Sequence, residues 1–155
     1  MKVLVLGVGN LIMSDDGVGI RTVQLLQEKC LPSFVDCQTA ALTGINLLDL
    51  LEGYDKAYIA DSIVCSNQPD GTVLRFSAKE LDDLKQNQYS HHNLGLLNTL
   101  AFGRQNGLDM PQDITVYAVC AQNVTTFGEE LSPKVLKGAI KASEMLNAEL
   151  QTLLN

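Results

Sequence analysis

Three groups of side chains in this sequence have the chemistry of a metal site. Asp15 and Asp16 are adjacent carboxylates in a glycine-rich stretch, Asp61 follows an apolar run, and His91 and His92 are the two histidines of the chain. Carboxylate oxygens together with one imidazole suit a borderline divalent cation such as nickel, zinc or manganese. Three protein ligands leave coordination positions open for water or for a group of a substrate.

Each of these side chains also has an ordinary structural explanation. Asp15 and Asp16 could neutralise the N-terminus of a helix, which is worth roughly 0.3–1 kcal/mol per carboxylate. Asp61 could form a turn or cap a helix, and two histidines at a solvated helix start need no special role. Residue types alone therefore leave a structural and a functional interpretation open for each group.

The glycine-rich stretch is predicted to join a strand to a helix. It follows the apolar run Val3–Leu6, which is typical of a buried parallel strand, and it leads into an amphipathic pattern over about residues 16–29. Functional groups of open α/β sheets gather at the carboxyl ends of the strands. If the first strand is central and the third lies beside it, Asp15 or Asp16 meets Asp61 at one edge.

Strand and helix patterns alternate along the chain. The order β-α-β-α-β-β-α-α-β-α predicts an α/β fold with three layers and a mostly parallel sheet, in one domain over residues 1–155. Predicted strands cover Val3–Leu6, Phe34–Cys37, Lys56–Asp61, Thr72–Phe76 and Ile114–Cys120. Predicted helices cover about residues 16–29, 43–51, 77–84, 90–103 and 132–153.

Several helix starts have capping signals. Thr43 and Ser90 are predicted N-caps, and Ser77-Ala78-Lys79-Glu80 fits a capping box. The last helix is predicted to bury an apolar stripe that includes Ile140.

Composition excludes several classes of function. The net charge is −7 and the 11 Lys and Arg residues are scattered, which argues against binding to nucleic acid. No apolar run approaches the roughly 20 residues that span a bilayer. Met1-Lys2 is followed at once by a strand-like run rather than by a signal peptide, so we expect a cytoplasmic protein.

The four cysteines are Cys30, Cys37, Cys65 and Cys120, and no Cys-x-x-Cys occurs. Neither a zinc knuckle nor a redox pair is therefore indicated. Cys37, Cys65 and Cys120 lie in or near apolar strand-like runs, so we expect small buried hydrophobic residues in a reducing compartment.

Other catalytic motifs are incomplete. Gly7-Val8-Gly9-Asn10 suggests a dinucleotide fingerprint, but the third glycine would fall at Ile12, and the nearby carboxylates would repel phosphate. A serine triad around Ser62 is possible but unsupported, and no local signature supports Cys65 as a nucleophile.

Three motifs resemble those of the nickel–iron hydrogenase maturation endopeptidases. The stretch Gly7–Gly19 resembles the N-terminal signature of that family. Ile59-Ala60-Asp61-Ser62 resembles its third-strand end, and His92-Asn93-Leu94-Gly95 resembles its His-x-Leu-Gly segment. The order and spacing match over nearly the whole chain. One departure is the stretch Thr39–Gly44, which lacks the leading acid that many members carry after strand two.

The resemblance implies a three-layer α/β/α sandwich with a five-stranded, mostly parallel, twisted sheet of the phosphorylase/hydrolase-like type. It also implies that Asp16, Asp61 and His92 form a metal cleft and are the catalytic residues. His92 matches rather than His91, because Leu94 and Gly95 fix the register.

The implied activity is that of a nickel-dependent, aspartic-type or metal-assisted endopeptidase. It would remove a short C-terminal peptide from the nickel-loaded precursor of a hydrogenase large subunit. The nickel would come with this substrate, although other divalent metals could occupy the site. The precursor is the expected partner of a monomer that binds neither nucleic acid nor membrane.

Two alternatives stay open at this point. Gly7-Val8-Gly9-Asn10 also resembles the opening motif of peptidyl-tRNA hydrolases, although Leu11 replaces the expected proline and the following helix has no histidine. A non-enzymatic nickel-binding module would keep the same three ligands and cleave nothing.

Overall fold

A five-stranded sheet forms the middle layer of the protein. The computed structural model describes residues 1–41, 46–77, 80 and 96–155. The strands are β1 (Val3–Val8), β2 (Val35–Ala40), β3 (Lys56–Ile63), β4 (Val73–Ser77) and β5 (Asp113–Cys120). The helices are a 3-10 turn (Ser14–Gly17), α1 (Val18–Gln27), α2 (Asn46–Leu51), α3 (Leu96–Gln105) and α4 (Pro133–Thr152).

The strands lie in the order β2-β1-β3-β5-β4. All neighbouring pairs are parallel except β4 and β5, which are antiparallel. The predicted α/β fold with a mostly parallel sheet is therefore confirmed, and so is the predicted position of the first strand beside the third. Gly7 of β1 lies opposite Ala60 of β3, which brings the loop after β1 to the same edge as Asp61.

Alternate residues of the strands pack into separate cores on the two faces of the sheet. Leu4 and Leu6 of β1 face a core shared with α2 and α3, whereas Val3 and Val5 face a core shared with α1 and α4. Strands that are covered on both faces are apolar at nearly every position, which explains the continuous run seen in the sequence. None of the helices in the described part of the chain is both long and apolar enough to cross a membrane.

Several predicted boundaries differ from the structure. β3 continues through Ile63, so Asp61 lies inside the strand rather than at its end. The reason is that Ser62 and Ile63 still pair with β5, opposite Val119 and Cys120. The helix predicted from Asp16 begins instead as a 3-10 turn, and α1 starts at Val18.

The predicted apolar stripe of the last helix is wrong at Ile140, which is 42 % exposed. Gly138 of the same helix packs closely instead. A Cβ at this position would lie 2.6 Å from the carbonyl oxygen of Gly71, so there is no room for a larger residue. The predicted capping box at Ser77 does form: Glu80 Oε2 accepts a bond from the Ser77 amide, and Ser77 Oγ accepts one from the Glu80 amide.

Several predicted features lie outside the described residues. They are the Thr43 cap, the helix with Leu81 and Leu84, the Ser90 cap, His91, His92 and the Leu94-Gly95 segment.

The prediction for the cysteines is wrong for one pair. Cys65 and Cys120 form a disulfide, with their Cα atoms 5.6 Å apart. The strand register produces this pair, since Cys120 ends β5 opposite Ile63 and Cys65 follows two residues later. Cys30 is exposed. Cys37 is half-buried, and burial together with the nearby Asp36 carboxylate raises the pKa of its thiol to about 11.

An ionic cluster joins β4 and β5 to α4. Arg75 donates two hydrogen bonds to Glu149, from Nε at 3.0 Å and Nη2 at 2.6 Å, and the Tyr117 hydroxyl donates a third. Burial and the Glu149 carboxylate raise the pKa of Tyr117 to about 12, and burial also raises the pKa of Tyr58.

This cluster predicts a loss of stability in alkali. A tyrosine in the unfolded chain loses its proton near pH 10, whereas folded Tyr117 keeps it until about pH 12. The free energy of unfolding should therefore be unaffected by this group below pH 10 and fall as the pH rises from 10 to 12. Urea unfolding at pH 9 and pH 11 measures the loss. Tyr117→Phe should show a smaller loss over the same interval, and an equal loss would contradict the assignment.

Candidate functional site

The start of α1 lies directly on the carboxyl ends of β1 and β3. A Cβ at Gly19 would be 2.3 Å from the carbonyl oxygen of Ala60 and 2.5 Å from that of Val8, closer than real Cβ contacts allow. Only glycine lets the helix approach both strands at this position. Because Asp16 precedes Gly19 by less than one helical turn, this approach brings its carboxylate to the edge where Asp61 lies.

Gly19→Ala should therefore be strongly destabilising. Its nearest contacts are backbone oxygens of the neighbouring strands β1 and β3, so the start of the helix must move. We expect the free energy of unfolding to fall by about 3 kcal/mol or more. The neighbouring Gly17→Ala provides a control, because its nearest contact is 3.2 Å away at Leu11 Cα and should require a smaller shift. Chemical denaturation of both variants measures the difference. Equal losses would argue against close packing at Gly19.

Ser62 connects the two carboxylates of the site. Its backbone amide donates to Asp61 Oδ1 at 2.8 Å, and its hydroxyl donates to Asp16 Oδ1 at 3.0 Å. Both carboxylates are buried, with residue exposures of 5 % for Asp16 and 1 % for Asp61. One residue of β3 thus orients an acid from the loop and an acid from its own strand.

Asp15 faces a different part of the molecule. Its Oδ1 accepts a bond from the Ser132 amide at 2.7 Å, and its Oδ2 accepts one from the Ser132 hydroxyl at 2.9 Å. Ser132 is the N-cap residue of α4, so the Asp15 carboxylate binds the start of that helix. Of the two adjacent acids, Asp15 binds the start of α4 and Asp16 binds Ser62 of β3.

The third predicted ligand lies outside the described part of the chain. Residues 81–95, which include His91 and His92, are not described. Across residues 1–41, 46–77, 80 and 96–155, no group of three or more His, Cys, Asp and Glu side chains is placed to hold a metal ion. Ser62 donates a hydrogen bond to Asp16 and another to Asp61, and the role of these acids with His92 stays a prediction.

Ser62 and Ser132 are the residues that sequence reasoning missed. Ser62 was considered only as a nucleophile, yet its hydroxyl serves as a donor to Asp16. Its position directly after Asp61 lets its backbone amide reach the Asp61 carboxylate, but nothing local in the sequence pairs its hydroxyl with Asp16. Nothing local in the sequence pairs Ser132 with Asp15.

The arrangement suits the binding of a cation. Asp16 and Asp61 are buried carboxylates that share Ser62 as a hydrogen-bond donor, and a positive charge bound near them would favour their ionised form. Oxygen ligands together with an imidazole are acceptable to nickel, so the donor set of Asp16 and Asp61 fits the expected metal. Their orientation by Ser62 is the kind of outer support that ligating carboxylates usually have.

The fold is that of a known class of peptide-bond hydrolases. Residues 20–149 match the family described as HycI: Hydrogenase maturation protease. The hydrogenase 2 maturation protease of Escherichia coli is 33 % identical over 125 residues, covering 80 % of this chain and 76 % of that protein. The chain belongs to the hydrogenase maturation protease family.

Solved structures agree with this assignment. The hydrogenase maturating endopeptidase HybD from E. coli superimposes with a TM-score of 0.84 at 31 % identity, covering 98 % of this chain and 93 % of that one. The [NiFe] hydrogenase maturation protease HybD from Thermococcus kodakarensis gives a TM-score of 0.76 at 25 % identity, covering 97 % and 99 %. The protein is thus an endopeptidase of hydrogenase maturation, which replaces both the peptidyl-tRNA hydrolase and the non-enzymatic interpretations.

Proposed function

We propose that this protein removes a short C-terminal peptide from the nickel-loaded precursor of a [NiFe] hydrogenase large subunit. The observation that carries the proposal is the pair of buried carboxylates, Asp16 and Asp61, which meet at Ser62 in a chain of the hydrogenase maturation protease family. The name of the T. kodakarensis relative supports the [NiFe] class of hydrogenase.

In this proposal Asp16, Asp61 and His92 bind the nickel of the substrate and thereby hold the nearby scissile bond. The substrate metal supplies polarisation of the carbonyl or a bound hydroxide. The protein supplies orientation: the Ser62 amide fixes the Asp61 carboxylate, and the Ser62 hydroxyl fixes the Asp16 carboxylate. Correct positioning of reacting groups alone can lower a barrier by several kcal/mol.

An aspartic-type, metal-assisted mechanism fits this set of donors better than a nucleophilic one. Three ligands without a thiolate favour modest affinity for free nickel, so the metal arrives with the precursor rather than residing in the enzyme. We further propose a cytoplasmic enzyme that works as a monomer of one domain, residues 1–155, without nucleic acid or membrane. The scattered Lys and Arg residues and the net charge of −7 support the exclusion of nucleic acid.

A processing assay tests the proposal. The purified protein is incubated with large-subunit precursor that is either loaded with nickel or free of it, and the product is weighed by mass spectrometry. We expect loss of the C-terminal peptide from the loaded precursor alone. Cleavage that is independent of nickel would contradict the proposed role of the metal, and absence of cleavage under every loading would contradict the proposed substrate.

A further inference from the structure

Exposed apolar side chains cluster beside the loop that carries Asp16. Leu11 is 43 % exposed, Ile12 is 51 % exposed, and Phe127 is 80 % exposed. Single exposed apolar residues are ordinary, but neighbouring ones at the edge of a candidate site indicate a binding surface. These three side chains are called the apolar rim below.

Backbone hydrogen bonds hold the two segments of the apolar rim together. The Gly128 amide donates to the Ile12 carbonyl at 2.9 Å, and the Ser14 amide donates to the Gly128 carbonyl at 2.8 Å. The Ser14 hydroxyl donates to the Thr126 carbonyl at 2.8 Å. Ile12 and Phe127 are therefore presented by paired backbone, so their exposure is not that of a loose loop. A rigid apolar surface loses little conformational freedom when a partner covers it.

An open groove of about 380 Å³ continues from the apolar rim. Leu11, Ser14 and Gly17 form one side of it, and Gly17 follows Asp16 directly in the chain. The exposed Glu129 and Glu130 also line the groove, together with the single cation Arg21, so its charge is acidic on balance. The groove and the site thus share the same stretch of backbone.

We propose that the apolar rim and this groove form the docking surface for the precursor, which binds through an apolar segment that carries a basic side chain. This inference rests on the proposed function. Leu11 and Ile12 of the apolar rim and Gly17 of the groove flank Asp16 in the chain, so a substrate whose scissile bond reaches Asp16 comes close to both surfaces. The acidic balance at Glu129 and Glu130, on a chain of net charge −7, selects a basic rather than an acidic segment.

The first test removes the apolar rim. Ile12→Ser combined with Phe127→Ser should raise KM for the nickel-loaded precursor about 10-fold or more, because buried aromatic anchors dominate binding at interfaces. The kcat at saturating precursor should stay within about twofold, since neither residue is one of the three proposed metal ligands. An unchanged KM would overturn the proposal.

The matched control carries the same changes on other faces. Phe102→Ser and Ile140→Ser replace residues that are 49 % and 42 % exposed, on α3 and α4 respectively. This double variant should keep the wild-type KM, and an equal rise in both double variants would also overturn the proposal. All four side chains are exposed, so both proteins should unfold at the wild-type temperature.

The second test addresses charge. Glu129→Gln with Glu130→Gln should raise KM several-fold and weaken the dependence of the wild-type KM on salt. Glu144→Gln, an exposed acid on α4, is the control and should change neither. If the KM of this double variant and its salt dependence equal those of the wild type, the proposal that the precursor carries a basic side chain at this position is wrong.

Two outcomes separate this inference from the proposed function. If the wild-type protein does not cleave the precursor, the proposed function fails. If it cleaves and the rim variant matches it in KM, only the docking surface fails. Sedimentation of the wild-type and rim variants identifies another occupant: a wild-type dimer that the rim variant turns into monomer would show that a second copy covers this surface.

Discussion

Asp16→Asn should reduce the rate of cleavage of the nickel-loaded precursor by about 100-fold or more. The loss of the charge removes one proposed ligand, and even a small misplacement of the scissile bond can lower the rate about 100-fold. The asparagine keeps an oxygen that can accept the hydrogen bond from the Ser62 hydroxyl, so the fold should be retained. The quantity to measure is the initial rate of processing at saturating precursor, and mass spectrometry follows the appearance of the product.

Asp15→Asn is the matched control, since it makes the same change one residue earlier. Asp15 binds the Ser132 amide and hydroxyl at the start of α4, so its variant should lose about 1–2 kcal/mol of stability and keep its rate of processing. The reverse result, with Asp15→Asn inactive and Asp16→Asn active, would show that the two roles are assigned the wrong way round.

The positions of the strands along the chain could be predicted because they depend on local patterns. The apolar runs of β1, β3 and β5 are the runs that a sheet covered on both faces requires. Gly19 also has a local signature, a glycine at a helix start, although its contact with Ala60 becomes visible only in the structure. The fold class could therefore be predicted from the sequence, apart from boundaries such as the extension of β3 to Ile63.

The roles of Asp15 and Asp16 could not be separated by physical reasoning from the sequence. Both are acids at a helix start, and their difference depends on Ser132 and Ser62, which are distant in the chain. Family resemblance selected Asp16, and the structure shows that the two acids have different partners, Ser62 for Asp16 and Ser132 for Asp15. The burial of Asp15 at 1 % shows that a carboxylate can be as buried as one in a site while serving only the fold.

The disulfide escaped prediction for the same reason. Cys65 and Cys120 are 55 residues apart, and nothing at either position indicates a partner. Their approach follows from the pairing of β3 with β5, which places Cys120 opposite Ile63. A cysteine that looks like a small hydrophobic residue can therefore be a crosslink when neighbouring strands end side by side.

Reduction of this disulfide should lower the free energy of unfolding by up to about 4 kcal/mol. A crosslink between residues 55 apart restricts the unfolded chain, and the loop-closure relation gives about 4 kcal/mol for that separation. Small domains are stable by only about 5–15 kcal/mol, so this is a large fraction of the total. Urea unfolding of the oxidised protein, with and without a phosphine reductant, measures the difference.

The cysteines outside the bridge provide the control for this experiment. Cys30→Ser with Cys37→Ser keeps the bridge, so the reductant should lower its stability as much as it lowers that of the wild type. Cys65→Ser with Cys120→Ser lacks the bridge, so its stability should be insensitive to the reductant.

In the unreduced, denatured wild type only Cys30 and Cys37 should react with iodoacetamide, because the other two sulfurs are bonded to each other. Reaction of all four, or a stability that the reductant leaves unchanged, would show that the bridge does not form in solution. Since Cys65 follows the strand that carries Asp61, a lower processing rate of the reduced enzyme would show that the bridge also steadies the site.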